Sequence, residues 1–264
     1  MRNKLFIKIV ITAFILVILT TTSSFSQLNN NETFEDNNYF NESFIQNLSK
    51  GEKVDVIVVF TGKINNTLLN KSGANVKENM ESIDASTITA TKEVIQRLQN
   101  DTNIESIEPD LNLELFGEEN SIILNEQTIP WGVERTNAPK VWNNLTGKNV
   151  KIAIIDSGIN KNHSDLINNL KGGISFINNS DYFNDDLGHG TSVAGVIGAL
   201  NNNIGIIGVA PEAELYSVKV ISASGGKLSD FIQGIQWATD NHMNIIVMSL
   251  GIPVDSPSVT SSVP

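Results

Sequence analysis

Three features of this sequence predict an α/β fold built on a parallel sheet. Val150 to Ile155 is a near-continuous apolar run, the pattern of a strand covered on both faces of a parallel sheet. It ends in Asp156-Ser157-Gly158, and α/β folds place ligands and catalysts at the C-terminal ends of such strands. Upstream, strand and helix patterns alternate through residues 54–110. With 40% hydrophobic and 18% charged residues, the chain can build a sizeable core and is unlike a disordered one.

The chain reads in five parts. Residues 1–26 begin with Arg2, Lys4 and Lys8, continue as an apolar run from Leu5 to Leu19, and place Ser24 and Ser26 at −3 and −1 of a cut after Ser26. That is the pattern of a secretory signal peptide. The alternative is an N-terminal anchor, but the run is shorter than the ~20 residues a spanning helix needs, and no other stretch is long and apolar enough to span. Secretion and an extracellular location follow. Residues 27–50 show no period and read as a mobile lead-in.

Residues 51–116 read as a small α/β unit. Val54–Phe60 is a β-branched strand, 64–72 a short helix, and Gly73 with Asn75 a turn. Ser82 to Thr89 alternates as a half-buried strand does, Val94, Ile95 and Leu98 recur at helical spacing in 91–100, and Ile104–Asp110 is a last strand stopped by Pro109. Residues 117–128 read as a linker holding a maturation site at Asn125–Glu126. Residues 129–264 carry the chemistry.

Composition excludes several functions. Without cysteine there is no disulfide scaffold, thiol nucleophile or Cys-ligated metal. The net charge is −11, and residues 27–125 hold seven basic against 17 acidic groups. No basic patch is present for a nucleic acid. A dinucleotide site at the end of the 150–155 strand would need G-x-G-x-x-G. Asp156-Ser157-Gly158-Ile159-Asn160 lacks it, and Gly188-x-Gly190 meets Val193 where the third glycine belongs.

A second motif is Gly188-His189-Gly190-Thr191-Ser192-Val193-Ala194-Gly195. His189 opens a small-residue helix, Thr191 to Leu200, and the flanking glycines let the backbone bend and other chains approach the ring. Taken singly, Asp156 could be a turn residue and His189 a structural one. Together they fit a nucleophilic triad, in which a buried Asp fixes the imidazole and the His takes a proton from a serine hydroxyl.

Residues 129–251 resemble the N-terminal half of a subtilisin-like (subtilase) serine protease domain. The resemblance rests on IPWGVERTNAPKVW at 129–142, VKIAIIDSGINKNHSDL at 150–166, GHGTSVAGVIGALNNNIGIIGVAP at 188–211 and NIIVMSLG at 244–251. It implies a doubly wound α/β/α sandwich around a mostly parallel sheet, preceded by a small α+β propeptide domain that chaperones and inhibits its own protease. It makes Asp156 the triad aspartate and His189 the general base. Peptide or protein substrates would pair with Ser224, Gly225 and Gly226 on one side and Ser249, Leu250 and Gly251 on the other, with Leu228 walling an apolar pocket. A monomer is expected of the complete protein.

The resemblance also implies a structural Ca²⁺ held by the side chains of Gln127, Asp165 and Asn202 and the carbonyls of Leu200, Ile204 and Ile206. Six hard oxygens suit calcium. The alternative is an Asn-rich surface loop. His163 and His242 are set aside as structural and solvent-facing, and Trp237 as core.

One departure limits the resemblance. The nucleophilic serine and the oxyanion asparagine should follow the Ser249-Leu250-Gly251 strand, and the sequence reaches Pro264 without either. Ser192 belongs to the histidine motif and is not the nucleophile. The Ser/Pro-rich tail after Gly251 reads as unstructured. Two functions remain: a precursor of a secreted serine endopeptidase, inactive as these 264 residues alone, or a non-catalytic remnant whose propeptide-like unit binds, inhibits or chaperones a subtilase.

Overall fold

The structure, a computed structural model, describes residues 44–115, 126–178, 180–252 and 256–262. The expected signal peptide, most of the lead-in and the proposed maturation bond lie outside them. Among the described residues no helix is long and apolar enough to cross a membrane.

The first unit is an antiparallel sheet with helices on one face. Its elements are β1 (Lys53–Phe60), α1 (Asn66–Ser72), β2 (Asn75–Met80), β3 (Ala85–Thr91), α2 (Lys92–Gln99) and β4 (Ile104–Pro109), in sheet order β2-β3-β1-β4. The period of two decides what each face does. Val56, Val58 and Phe60 of β1 turn toward Leu69 of α1 and Val94, Ile95 and Leu98 of α2. Ile57 and Val59 face the other way and join the core of the second unit. Two sequence expectations are corrected here. The span after Asn75 is a strand and not only a turn, and β3 starts at Ala85, three residues later than the pattern suggested. A one-turn 3₁₀ helix at Glu81–Ile83 occupies the start of the expected strand.

The second unit contains a parallel sheet in the order β7-β8-β6-β9. These strands are β6 (Lys151–Asp156), β7 (Leu170–Ser175), β8 (Glu214–Lys219) and β9 (Ile245–Met248). The continuous apolar run of β6 is explained by its central place. Ile152 and Ile154 pack with Ala194 of α4 (His189–Gly198), while Ala153 and Ile155 pack with Phe231, Ile232 and Ile235 of α5 (Leu228–Asp240). Helices on opposite faces of a parallel sheet make this the α/β/α sandwich. A short α3 (Trp131–Arg135) precedes the sheet.

The tail also departs from expectation. Residues Pro257–Ser262 form a helix, α6. Ser256 supplies its N-cap, accepting from Val259 N at 3.2 Å, and proline is tolerated at the first helical position because its missing N–H has no intrahelical partner there.

The two units are joined through helix starts. The N-cap residue of α5 is Lys227, whose side chain has no acceptor. Asp110, just past β4, caps the helix instead. Its carboxylate accepts from Ser229 N and Ser229 Oγ, both at 2.9 Å. Glu108 does the same for α6, accepting from Ser258 N at 2.9 Å. Beyond Asp110 the chain becomes a strand. Leu111 O accepts from Leu228 N at 2.8 Å, Leu113 N donates to Gly226 O at 3.0 Å, and β5 (Glu114–Leu115) pairs antiparallel with β10 (Leu250–Gly251).

This junction carries a pH dependence. Burial pushes the carboxyls of Glu108 and Asp110 above their ordinary range, against the bonds from Ser258 and Ser229. Asp230, in the first turn of α5, is pushed up to about 6 by burial and by the charges of Asp110 and Glu78, against the Lys227 N–H and the Lys77 charge. A carboxyl raised in the docked state binds its proton more tightly there, so docking gains stability as pH falls through the raised value and loses it as pH rises. Amide protection at Leu113, corrected for intrinsic exchange, is therefore expected to be greater at about pH 5 than at about pH 7.5. Equal protection would contradict this coupling.

Candidate functional site

Asp156 is the last residue of β6 and is fully buried. A carboxylate out of water must be bonded. Its Oδ1 accepts from Ser157 N at 2.7 Å and lies 2.8 Å from Nδ1 of His189, the first residue of α4. Among the described residues its buried Oδ2 has no hydrogen-bond partner. His189 is itself buried, at 7% exposure. Since an ionised carboxylate only accepts, the pair holds the imidazole proton on Nδ1 and leaves Nε2 as the basic atom.

The sequence around His189 permits this approach. Gly188 precedes the helix in the left-handed region, at φ 77°. At Gly190 a Cβ would come within 2.2 Å of Gly158 O and 3.2 Å of Asp156 Oδ1, so only glycine lets the helix start lie on the strand end. Gly188 also has no side chain to cap α4. Asp185 does so, accepting from Gly188 N at 2.9 Å and from Thr191 N at 2.8 Å, and it also takes the Ser157 hydroxyl at 2.7 Å. Sequence reasoning missed Asp185. Its only local signal is an acid three residues before a capless helix start.

Several of the other expected site residues flank the strand 111–115. Gly226 and Leu228 bond the backbone of 111–113, and Asn112 and Lys227 form an antiparallel bridge. Ser224 and Gly225 instead sit at the exposed tip of a tight turn closed by reciprocal Ser222 and Gly225 bonds. Leu250 and Gly251 pair with Leu115 and Glu114 from the opposite side, with Ser249 just before them. The strand 111–115 thus lies between the two edges. Leu228 is fully buried and shares a core with Leu113 and Leu250. Ser192 is exposed, and its hydroxyl donates to Gly188 O within the helix. His163 and His242 are exposed, and Trp237 is half-buried against the core of the second unit.

The proposed calcium ligands also converge. Gln127 Nε2 lies 2.8 Å from Leu200 O and Ile204 O, and 3.2 Å from Asn202 Oδ1 and Ile206 O. An amide NH₂ has two hydrogens and cannot satisfy four acceptors, so more oxygens gather here than one side chain accounts for. Asp165 completes the group. It is buried, its Oδ2 accepts from Ile206 N at 2.9 Å, and its Oδ1 is buried without a partner. A Cβ at Gly205 would fall 2.3 Å from Asp165 Oδ2. Among the described residues no three His, Cys, Asp or Glu cluster as for a transition metal. The donor set of amide, carbonyl and carboxylate oxygen fits calcium.

Residues 147–263 match the model of the subtilase family. The M-protease of Shouchella clausii (strain KSM-K16) is 46% identical over 160 residues, covering 60% of this chain and 41% of the relative. Subtilisin E of Bacillus subtilis (strain 168) is 37% identical over 199 residues, 74% of this chain and 49% of the relative. The minor extracellular protease Epr of the same organism is 38% identical over 219 residues, 80% of this chain and 33% of the relative. The chain spans about half, or less, of the length of these relatives.

Gly190→Ala tests how the pair is assembled. Steric displacement of α4 is expected to abolish the low-field proton resonance of the His189 Nδ1–H···Asp156 bond. Gly132→Ala, where a Cβ meets nothing within 4 Å, is expected to leave that resonance in place. Survival of the resonance in the Gly190 variant would contradict the packing argument.

Proposed function

We propose that residues 147–263, which match the subtilase family model, form the front of the catalytic domain of a secreted serine endopeptidase. The observation that carries this reading is the buried Asp156–His189 bond beside a cleft already holding an extended strand. Asp156 keeps the proton on Nδ1 and stabilises the imidazolium when it forms. His189 Nε2 takes the proton of a serine hydroxyl as the oxygen attacks the scissile carbonyl, then returns it to the leaving amine. No residue among these 264 is assigned as that serine or as an oxyanion asparagine, and the present polypeptide alone is proposed to be inactive.

The strand 111–115 supports autoinhibition. It fills the cleft with main-chain bonds of the kind an extended substrate makes, and Leu113 fills the apolar pocket walled by Leu228. The unit 53–115 is accordingly proposed as propeptide and intramolecular inhibitor. The same seat favours a second reading, in which this unit inhibits or chaperones a separate subtilase. Export is proposed from the signal-like residues 1–26.

The test uses the full product of the gene. It is expected to hydrolyse peptides, and His189→Ala is expected to lower kcat on the order of 10⁶-fold with little change in KM. Undiminished kcat in that variant would contradict the triad. Hydrolysis by residues 1–264 alone would contradict the proposed inactivity.

A structural Ca²⁺ is proposed at Gln127, Asp165, Asn202 and the carbonyls of Leu200, Ile204 and Ile206. When bound, the ion would neutralise Asp165 and tie the segment entering the second unit to the loop after α4. At about 100 times its Kd it would stabilise the fold by about 2.7 kcal/mol. Thermal melting is expected to rise with added Ca²⁺ and fall with chelator, and Asp165→Ala is expected to remove the response. An unmodified chain melting identically in both solutions would contradict the site.

A further inference from the structure

Lys219 heads the largest fully buried side chains among the described residues. A lysine is rarely buried unless its ammonium is paired, and here the pairing links two parts of the site. Lys219 ends β8 directly opposite Asp156 in the parallel register. Its Nζ donates to Ser157 O, one residue past Asp156, and to Asp186 Oδ1 at 2.6 Å. The other Asp186 oxygen accepts from Ala223 N at 2.8 Å. Ala223 lies in the turn that leads into Gly226, Lys227 and Leu228, the edge that holds residues 111–113.

We propose that Lys219 and Asp186 are a positioning pair that fixes the peptide-pairing edge relative to the Asp156–His189 dyad. The inference rests on the reading of the cleft as a peptide site. One end of the pair grips the strand terminus that carries Asp156, and the other grips the backbone of the edge turn. Burial pushes the Asp186 carboxyl up, but the Lys219 ammonium and the Ala223 N–H outweigh it and hold the group below the usual carboxylate range. Asp186 therefore stays ionised and Lys219 stays paired over the working range of such a site. Without the pair, the edge turn would keep its own Ser222–Gly225 bonds but lose its tie to the dyad. A bound chain would then still be gripped, but at a less fixed distance from the imidazole.

The experiment measures backbone amide exchange on the full 264-residue chain, unmodified and as Asp186→Ala, Lys219→Met and the double variant. The reporting amides are Leu113 and Leu228, whose N–H groups cross between edge and bound strand. The reference amides lie in the β1–β3 pairing, such as Val58 and Ile88. Asp186→Ala leaves the buried Lys219 ammonium with Ser157 O alone, so the double variant, which removes that orphaned charge, keeps the test readable if either single variant fails to fold. A positioning pair predicts that Asp186→Ala lowers protection at Leu113 and Leu228 about ten-fold or more while the reference amides hold theirs. It also predicts that the His189 Nδ1–H resonance shifts and that the double variant loses no more than either single one. A purely structural ion pair would lower all amides together, and that result, or unchanged protection in Asp186→Ala, overturns the proposal. Free exchange at Leu113 and Leu228 in the unmodified chain would instead overturn the peptide-site reading on which the proposal rests.

Discussion

A carboxylate with no exposed surface, placed at the end of a central parallel strand, is the constraint around which this molecule is arranged. Asp156 cannot be left charged and alone in that position. His189 answers it, and much of the neighbouring sequence is explained by the need to bring that ring within 2.8 Å. Gly190 removes a Cβ that would strike Gly158 O. Gly188 gives the turn into α4, and Asp185 replaces the cap that a glycine cannot offer. The same strand end fixes Ser157, whose hydroxyl bonds Asp185 and whose carbonyl receives Lys219. Chemistry and packing are therefore not separable here. The groups that orient the imidazole also join β6, β8 and α4.

The second organising feature is the exchange of caps between the two units. Neither α5 nor α6 completes its N-terminus from its own residues. Asp110 and Glu108 from the antiparallel unit accept those N–H groups, in water-poor surroundings that raise their proton affinity. The apolar face of β1 that turns away from α1 and α2 joins the core around α5. The strand 111–115 is thereby held at one end by helix caps and along its length by the cleft. A segment anchored in this way stays in place without a covalent bond, and its release is coupled to the deprotonation of its anchors.

The site was more legible in the sequence than parts of the fold. Asp156 and His189 announce themselves because each sits in a short motif whose neighbours are constrained, an apolar strand in one case and paired glycines in the other. The oxygens around Gln127 were expected only from the resemblance, since four of the six residues lie in the loop 200–206 and Gln127 and Asp165 come from distant segments. The strand β2 was not, because Asn75, Lys77, Glu78 and Asn79 make a polar edge with a register shift after Val76, and an edge needs little hydrophobic pattern. Helix α6 hid in a Ser/Pro-rich tail. Ser256-Pro257 is a fair N-cap and first-turn pair, but six residues are too few to hold a helix without the partner carboxylate of Glu108. Asp186 and Lys219 act through tertiary bonds between segments up to 62 residues apart, and no local pattern marks them.

The account depends most on His189 being held by Asp156 as a base with its lone pair on Nε2. The direct measurement is the ¹⁵N shift of both ring nitrogens of His189 as pH is raised, in the full chain with selective histidine labelling. The account predicts that the neutral ring keeps its proton on Nδ1 and shows the far-downfield shift of an unprotonated nitrogen at Nε2, unlike the exposed His163 and His242. A neutral His189 with its proton on Nε2, or the averaged shifts of a freely exchanging ring, would contradict it.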